Sequence, residues 1–179
     1  MKLTRFNDIP KFTNPGRYHV DQSFPYLVEF IQREINEENL VINPDFQRGH
    51  VWTQRQQEAY IEFLLRGGTS GRDVYFNHPG WNEPVEPGAY CEYTCVDGLQ
   101  RITAIQRFVN NEIKVFDSYF REFTDKAHLT MNTIRVHIND LKTRKEVLTW
   151  YLEMNSGGTP HSKKELDRVK ALLESENTN

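Results

Sequence analysis

The chain has 179 residues, 37% hydrophobic and 12% aromatic, which is enough apolar mass for one sizeable core and too much for a disordered tail. Its formal net charge of −3 at pH 7 excludes a protein that coats nucleic acid through bulk positive charge, though local basic patches remain open. No apolar run reaches the ~18 residues of a membrane span, and residues 1–10 are polar where a secretory signal has its apolar stretch, so a cytoplasmic protein is expected.

In chain order, Pro25 opens a helix to about Glu37, with Leu27, Val28, Ile31 and Ile35 on one face. A short strand is predicted over Leu40 to Ile42. Thr53, with Gln56 three residues on, caps a second helix that turns Ala59, Tyr60, Phe63 and Leu64 toward a core and ends at Arg66, Gly67 and Gly68. Val74 to Phe76 reads as a strand, and the Pro- and Gly-rich stretch from Asn77 to Gly88 as an exposed loop. Tyr90 to Val96 is the next predicted strand, followed by an Asp97-Gly98 turn and a helix to about Asn110 with Ile102, Ile105, Gln106 and Val109.

Strands follow over Ile113 to Phe116 and around Ile134, Val136 and Ile138, the latter with clean alternation. A helix over Thr143 to Met154, a break from Asn155 to Pro160, and a last helix capped by Ser162 with Glu165 complete an α+β pattern of helices on a small mixed sheet. Without repeats or Ser- or Gly-rich linkers, residues 1–179 are expected to form one domain. Cys91 and Cys95 sit four positions apart in a predicted strand, about 13 Å, beyond the reach of a disulfide. Two reduced thiols are expected, and the pair makes a poor zinc site.

The strand, turn and helix around Asp97 carry the most chemistry. Free backbone N–H groups at a helix start after Gly98 suit a phosphate, Arg101 in the first turn adds a guanidinium, and Gln100 can donate or accept hydrogen bonds. A carboxylate is repulsive beside phosphate unless it binds a metal, acts as a base or orients its own turn, so Asp97 is open among these roles. The plainer reading has Asp97 capping the helix and Arg101 forming a surface ion pair. Two further segments favour a site: Pro44 to Trp52, which brings Arg48, His50 and an aromatic into one loop, and the polar stretch from Asn155 to Pro160. His50 is a candidate lining residue beside Arg48; His78, His128, His137 and His161 read as surface or strand positions, and Trp52, Trp81 and Trp150 as core or lid packing.

These residues carry a family resemblance. Phe46-Gln47-Arg48 with Val51-Trp52, then Val96-Asp97-Gly98-Leu99-Gln100-Arg101-Ile102-Thr103, and last Met154-Asn155-Ser156-Gly157-Gly158 with Leu166, resemble the N-terminal domain of GmrSD-type restriction proteins over about residues 20–172. The resemblance implies a ParB/sulfiredoxin-like fold and a pocket in which an Asp-Gly-Gln-Gln-Arg motif binds and hydrolyses nucleoside triphosphate to govern DNA restriction. By position, Asp97 and Gln100 fall to the catalytic roles, and Arg48, Gly98, Arg101, Asn155 and Gly158 to phosphate binding. Leu99 stands where that motif has its first glutamine.

The implied ligands are a nucleotide and a Mg²⁺ ion, and the implied partners are DNA or a restriction or defence protein. Nuclease activity of this chain is not expected, because it stops at Asn179 without the family's HNH-type motif. Sulfiredoxin-like chemistry is not expected either, for want of a cysteine beside the arginine of the turn. Three functions remain: a nucleotide-binding domain with slow NTPase activity, a non-enzymatic DNA- or protein-binding module with a degenerate pocket, or a small-molecule kinase on the same fold.

Overall fold

A computed structural model describes residues 4–5, 9, 18–47, 49–125, 132–156 and 163–176. Helix α1 (Phe24–Glu37) starts at Ser23 in extended backbone, with Pro25 in the first turn, where its missing N–H leaves nothing unpaired. It buries Phe24, Leu27, Phe30 and Ile31. Helix α2 (Gln54–Leu65) begins with the predicted capping box, in which Thr53 accepts from the Gln56 amide and Gln56 reaches back to the Thr53 amide at 2.8 Å.

The core face of α2 differs from expectation. It consists of Gln57, Ile61 and Leu64, whose spacing follows one helical stripe, with Tyr60 half-buried, whereas Ala59 and Phe63 face outward.

Four strands, β1 (Tyr18–Ser23), β2 (Asp73–Asn77), β3 (Thr94–Asp97) and β4 (Thr133–Asn139), form one sheet in the order β1-β4-β2-β3. The outer pairs are antiparallel and the central β2–β4 pair is parallel, so the sheet is mixed as expected. One face carries Val74, Phe76, Ile134, Val136 and Ile138 against α1 and helix α3 (Leu99–Val109). Over the β3 side of the other face lie helix α4 (Arg144–Ser156) and helix α5 (Lys163–Ser175), which enclose a second cluster of Phe46, Val96, Val147, Leu148, Trp150, Tyr151 and Val169.

Three predicted strands change. Residues 40–42 contribute a single bridge, Val41 to Thr94, because only Val41 meets the edge of β3. The strand before Asp97 is shorter, running from Thr94. Residues 113–116 form no strand: Val115 bridges Ser118 across a tight turn in which Phe116 and Asp117 take φ of 50° and 61°. Strand β1 was not anticipated; its burial pattern shows no apolar stripe, and backbone pairing to β4 holds it at the sheet edge. Ser162, Arg48 and Gly158 lie outside the described residues. Both cysteines are free, Cys91 exposed and Cys95 buried.

Candidate functional site

Strand β3 reaches Asp97 from three buried residues, Thr94, Cys95 and Val96, and the chain then turns at Gly98 with φ 125° and ψ −2°. A Cβ at that position would lie 2.7 Å from Val74 Cγ1 and 3.2 Å from the Val74 Cα, so conformation and backbone proximity both require glycine. Helix α3 begins at the next residue with no side-chain cap. Asp97 therefore does not act as the cap that the plainer reading assigned to it, and the first turn presents the positive end of the helix dipole.

The ion pair of that reading does form. Arg101 Nη2 donates to Asp97 Oδ2 at 2.6 Å, with the arginine side chain only 21% exposed. Burial opposes the guanidinium charge, but Asp97, by proximity and hydrogen bond, more than offsets it and leaves the Arg101 pKa above its ordinary value. Arg101 Nε is buried and has no acceptor among the described residues. Tyr60 and Tyr75 both feel the Arg101 charge; burial raises both phenol pKa values, and Tyr60 donates to the Gly71 carbonyl at 2.7 Å. Beneath the turn, burial and then the Asp97 charge push the Cys95 thiol up to about 12.

A second segment is stitched across this turn. Gln100 Oε1 accepts from the Val51 and Trp52 amides at 2.9 and 3.0 Å, and its Nε2 donates to the Gly49 carbonyl at 2.8 Å. Gln47 Nε2 donates to the carbonyls of Cys95 and Val96 at 2.6 and 3.1 Å. Residues on both sides of position 48 are thus fastened to the turn. The sequence expectation for Gln100 was a hydrogen-bonding group facing ligand or water; here both lone-pair directions of its carbonyl and one N–H serve the loop.

Other predicted residues make their described side-chain bonds elsewhere. Asn155 Nδ2 donates to the Tyr151 carbonyl at 2.7 Å within α4, and no described contact joins it to the turn. His50 pairs with Gln57 at 3.3 Å in a network with Arg107, and burial followed by the Arg107 charge lowers its pKa. That network joins α2 to α3, and His50 itself stands in the 49–52 loop that Gln100 holds across the turn.

Sequence reasoning missed a row of side chains on the sheet face opposite α1. His19, His137, Tyr75 and Asp97 are register partners across all four strands, so they stand side by side. His137 Nε2 meets Asp73 Oδ1 at 2.7 Å, its ring stacks on Tyr75 at 4.5 Å and 12°, and Trp150 meets Tyr75 edge-on at 6.1 Å. Alternation in β2 and β4 places these residues opposite Val74 and Val136, but only strand register makes them neighbours.

Fold and turn together define an α+β domain organised around a strand, a glycine and an uncapped helix start. The chain belongs to the family of GmrSD restriction endonuclease N-terminal domains, whose sequence profile matches residues 27–133. That span holds most of α1, all of α2, β2, β3 and α3, and the turn, and membership places the chain in a restriction and defence context. Comparison with curated proteins and with solved structures gave no match. Among the described residues no helix is long and apolar enough to cross a membrane, and no cluster of three or more His, Cys, Asp or Glu is arranged to hold a metal ion.

Proposed function

We propose that the Asp97–Arg101 turn binds the phosphates of a nucleoside triphosphate, and that the chain hydrolyses it slowly in the service of DNA restriction, defence or counter-defence. One observation carries this reading. Arg101 lies in the first turn of an uncapped helix with its Nη2 oriented by Asp97 and its Nε buried without an acceptor. An anion at the helix start would meet the amides, the dipole and a preset guanidinium together.

In this proposal Gly98 allows the backbone to approach the phosphates, and Arg48 and Gly158 keep their family roles as further phosphate contacts, a role that Asn155 could share only by giving up its bond to the Tyr151 carbonyl. Asp97 answers the problem of a carboxylate beside phosphate by neutralising its charge against Arg101. A Mg²⁺ ion arriving with the nucleotide needs only one or two protein carboxylates, and the Oδ1 of Asp97, which bonds nothing among the described residues, suits that donor set. Such an ion would supply charge neutralisation on the phosphate oxygens.

Gln100 serves as a positioning group in this reading, which leaves Asp97 as the nearer candidate for orienting water. The occupation of the Gln100 amide also favours a second reading: a module that binds DNA or a protein partner and keeps the pocket for shape, without turnover. Titration calorimetry with a panel of nucleoside triphosphates, with and without Mg²⁺, tests the first. Binding in the micromolar to millimolar range is expected, weakened roughly ten- to hundredfold by Arg101→Ala, the worth of a charged hydrogen bond. Absence of binding to every nucleotide removes the proposal; binding without phosphate release supports the module.

A further inference from the structure

The loop that crosses the turn is gripped a second time, from helix α5, outside the span matched by the family profile. Arg168 Nη1 donates to the Asp45 carbonyl at 2.5 Å, and its Nη2 donates to the carbonyls of Phe46 and Gln47 at 2.7 and 3.2 Å. Three successive carbonyls at the end of a turn thus converge on one guanidinium, whose planar fork spreads its donors over two nitrogens where a lysine ammonium gathers its three on one. Arg144 of α4 completes the clasp by holding both Asp45 carboxylate oxygens at 2.8 and 2.7 Å while its Nε meets Glu176 at 3.3 Å.

The chain leaving this clasp is the same chain that the site uses. Gln47, whose carbonyl Arg168 holds, extends its own side chain to Cys95 and Val96, and residues 49–52 are then taken over by Gln100. Arg168 itself is an exposed residue whose neighbour Val169 is fully buried, so α5 is anchored by its apolar face independently of this guanidinium. A surface arginine spending its donors on three main-chain carbonyls contributes little to the core and much to the shape of one loop.

We propose that Arg168 is a positioning residue: through it, α5 sets the pose of the 45–52 loop against the Asp97–Arg101 turn, so that phosphate binding depends on a helix remote from the phosphate. The proposal rests on the phosphate reading of the turn. It implies that α5 is the handle through which anything acting on the C-terminal part of the chain would alter the pocket.

The test uses the full chain, ATP and inorganic tripolyphosphate as probes, and the variants Arg168→Met, Arg168→Lys and Arg101→Ala. Arg168→Met is expected to weaken both probes about tenfold, with Arg168→Lys recovering little because a single ammonium nitrogen lacks the two-nitrogen fork that spans these carbonyls. The melting temperature should stay within a few degrees of the parent, as expected for a surface substitution, while amide exchange at Val51 and Trp52 accelerates and exchange in β4 does not. Unchanged affinity in Arg168→Met overturns the inference alone, as does full recovery by Arg168→Lys. Failure of the parent chain to bind either probe overturns the phosphate reading, and this inference with it.

Discussion

On the α1 side of the sheet, Ile102, Ile105 and Phe108 of α3 mesh with Phe24, Leu27 and Ile31 of α1 and with Val74, Val136 and Ile138 of the strands, all buried and all apolar. On the α4 side the cluster around Val96 and Trp150 is smaller, and its margin is closed by charged groups: Arg144 on Asp45 and Glu176, and Arg168 on the loop carbonyls. The first region is held by area removed from water, a non-directional force that tolerates little loss of volume. The second is held in large part by directional hydrogen bonds on half-exposed groups, each worth little to global stability but decisive for local geometry. The Asp97–Arg101 turn lies at the junction, its helix rooted in the first region and its crossing loop fastened to the second.

This contrast can be broken at either end. The largest effect is expected from Phe108→Ala, which empties a site 1% exposed in the larger cluster and should cost about 3–5 kcal/mol in urea unfolding; a loss below 1 kcal/mol would mean that the cluster is not tightly packed. Gly98→Ala is next, at roughly 2–4 kcal/mol, because the new Cβ takes a strained φ and presses on Val74. The same variant should lose the proposed nucleotide binding, since relief of the clash must move the helix start away from the strand.

Val169→Ala removes two buried methylene equivalents at the α4–α5 contact, about 1.5 kcal/mol. Its effect should appear in hydrogen exchange as loosening of residues 144–176, with exchange in α3 unchanged; uniform acceleration throughout would show that the two regions unfold as one. The smallest effect is chemical. With Cys95 buried and its thiol pKa pushed up to about 12, a thiol reagent should modify Cys91 alone in the native chain and both cysteines after unfolding. Native modification of both would mean that the turn opens on the timescale of labelling.

Much of the fold was legible because it is written in local chemistry. The capping box at Thr53, Pro25 at the start of α1, the glycine at position 98 and the alternation of Ile134, Val136 and Ile138 each report a constraint satisfied within a few residues. The misread strands at 40–42 and 113–116 have apolar residues of the right type but lack a partner edge long enough to pair with. Conversely, β1 has a partner but little apolar patterning of its own.

For the site, sequence alone determined the turn, its glycine, the Asp97–Arg101 spacing of one helical turn and the family, because these depend on residue type and short separation. Tertiary structure decided what those side chains face. It turned Gln100 to the 49–52 loop, gave Asp97 to Arg101, left Asn155 in its own helix, set His137 against Asp73 and brought Arg168 to a loop more than a hundred residues upstream in the chain. Such partners are chosen by strand register and helix packing, which arise from contacts distant along the chain.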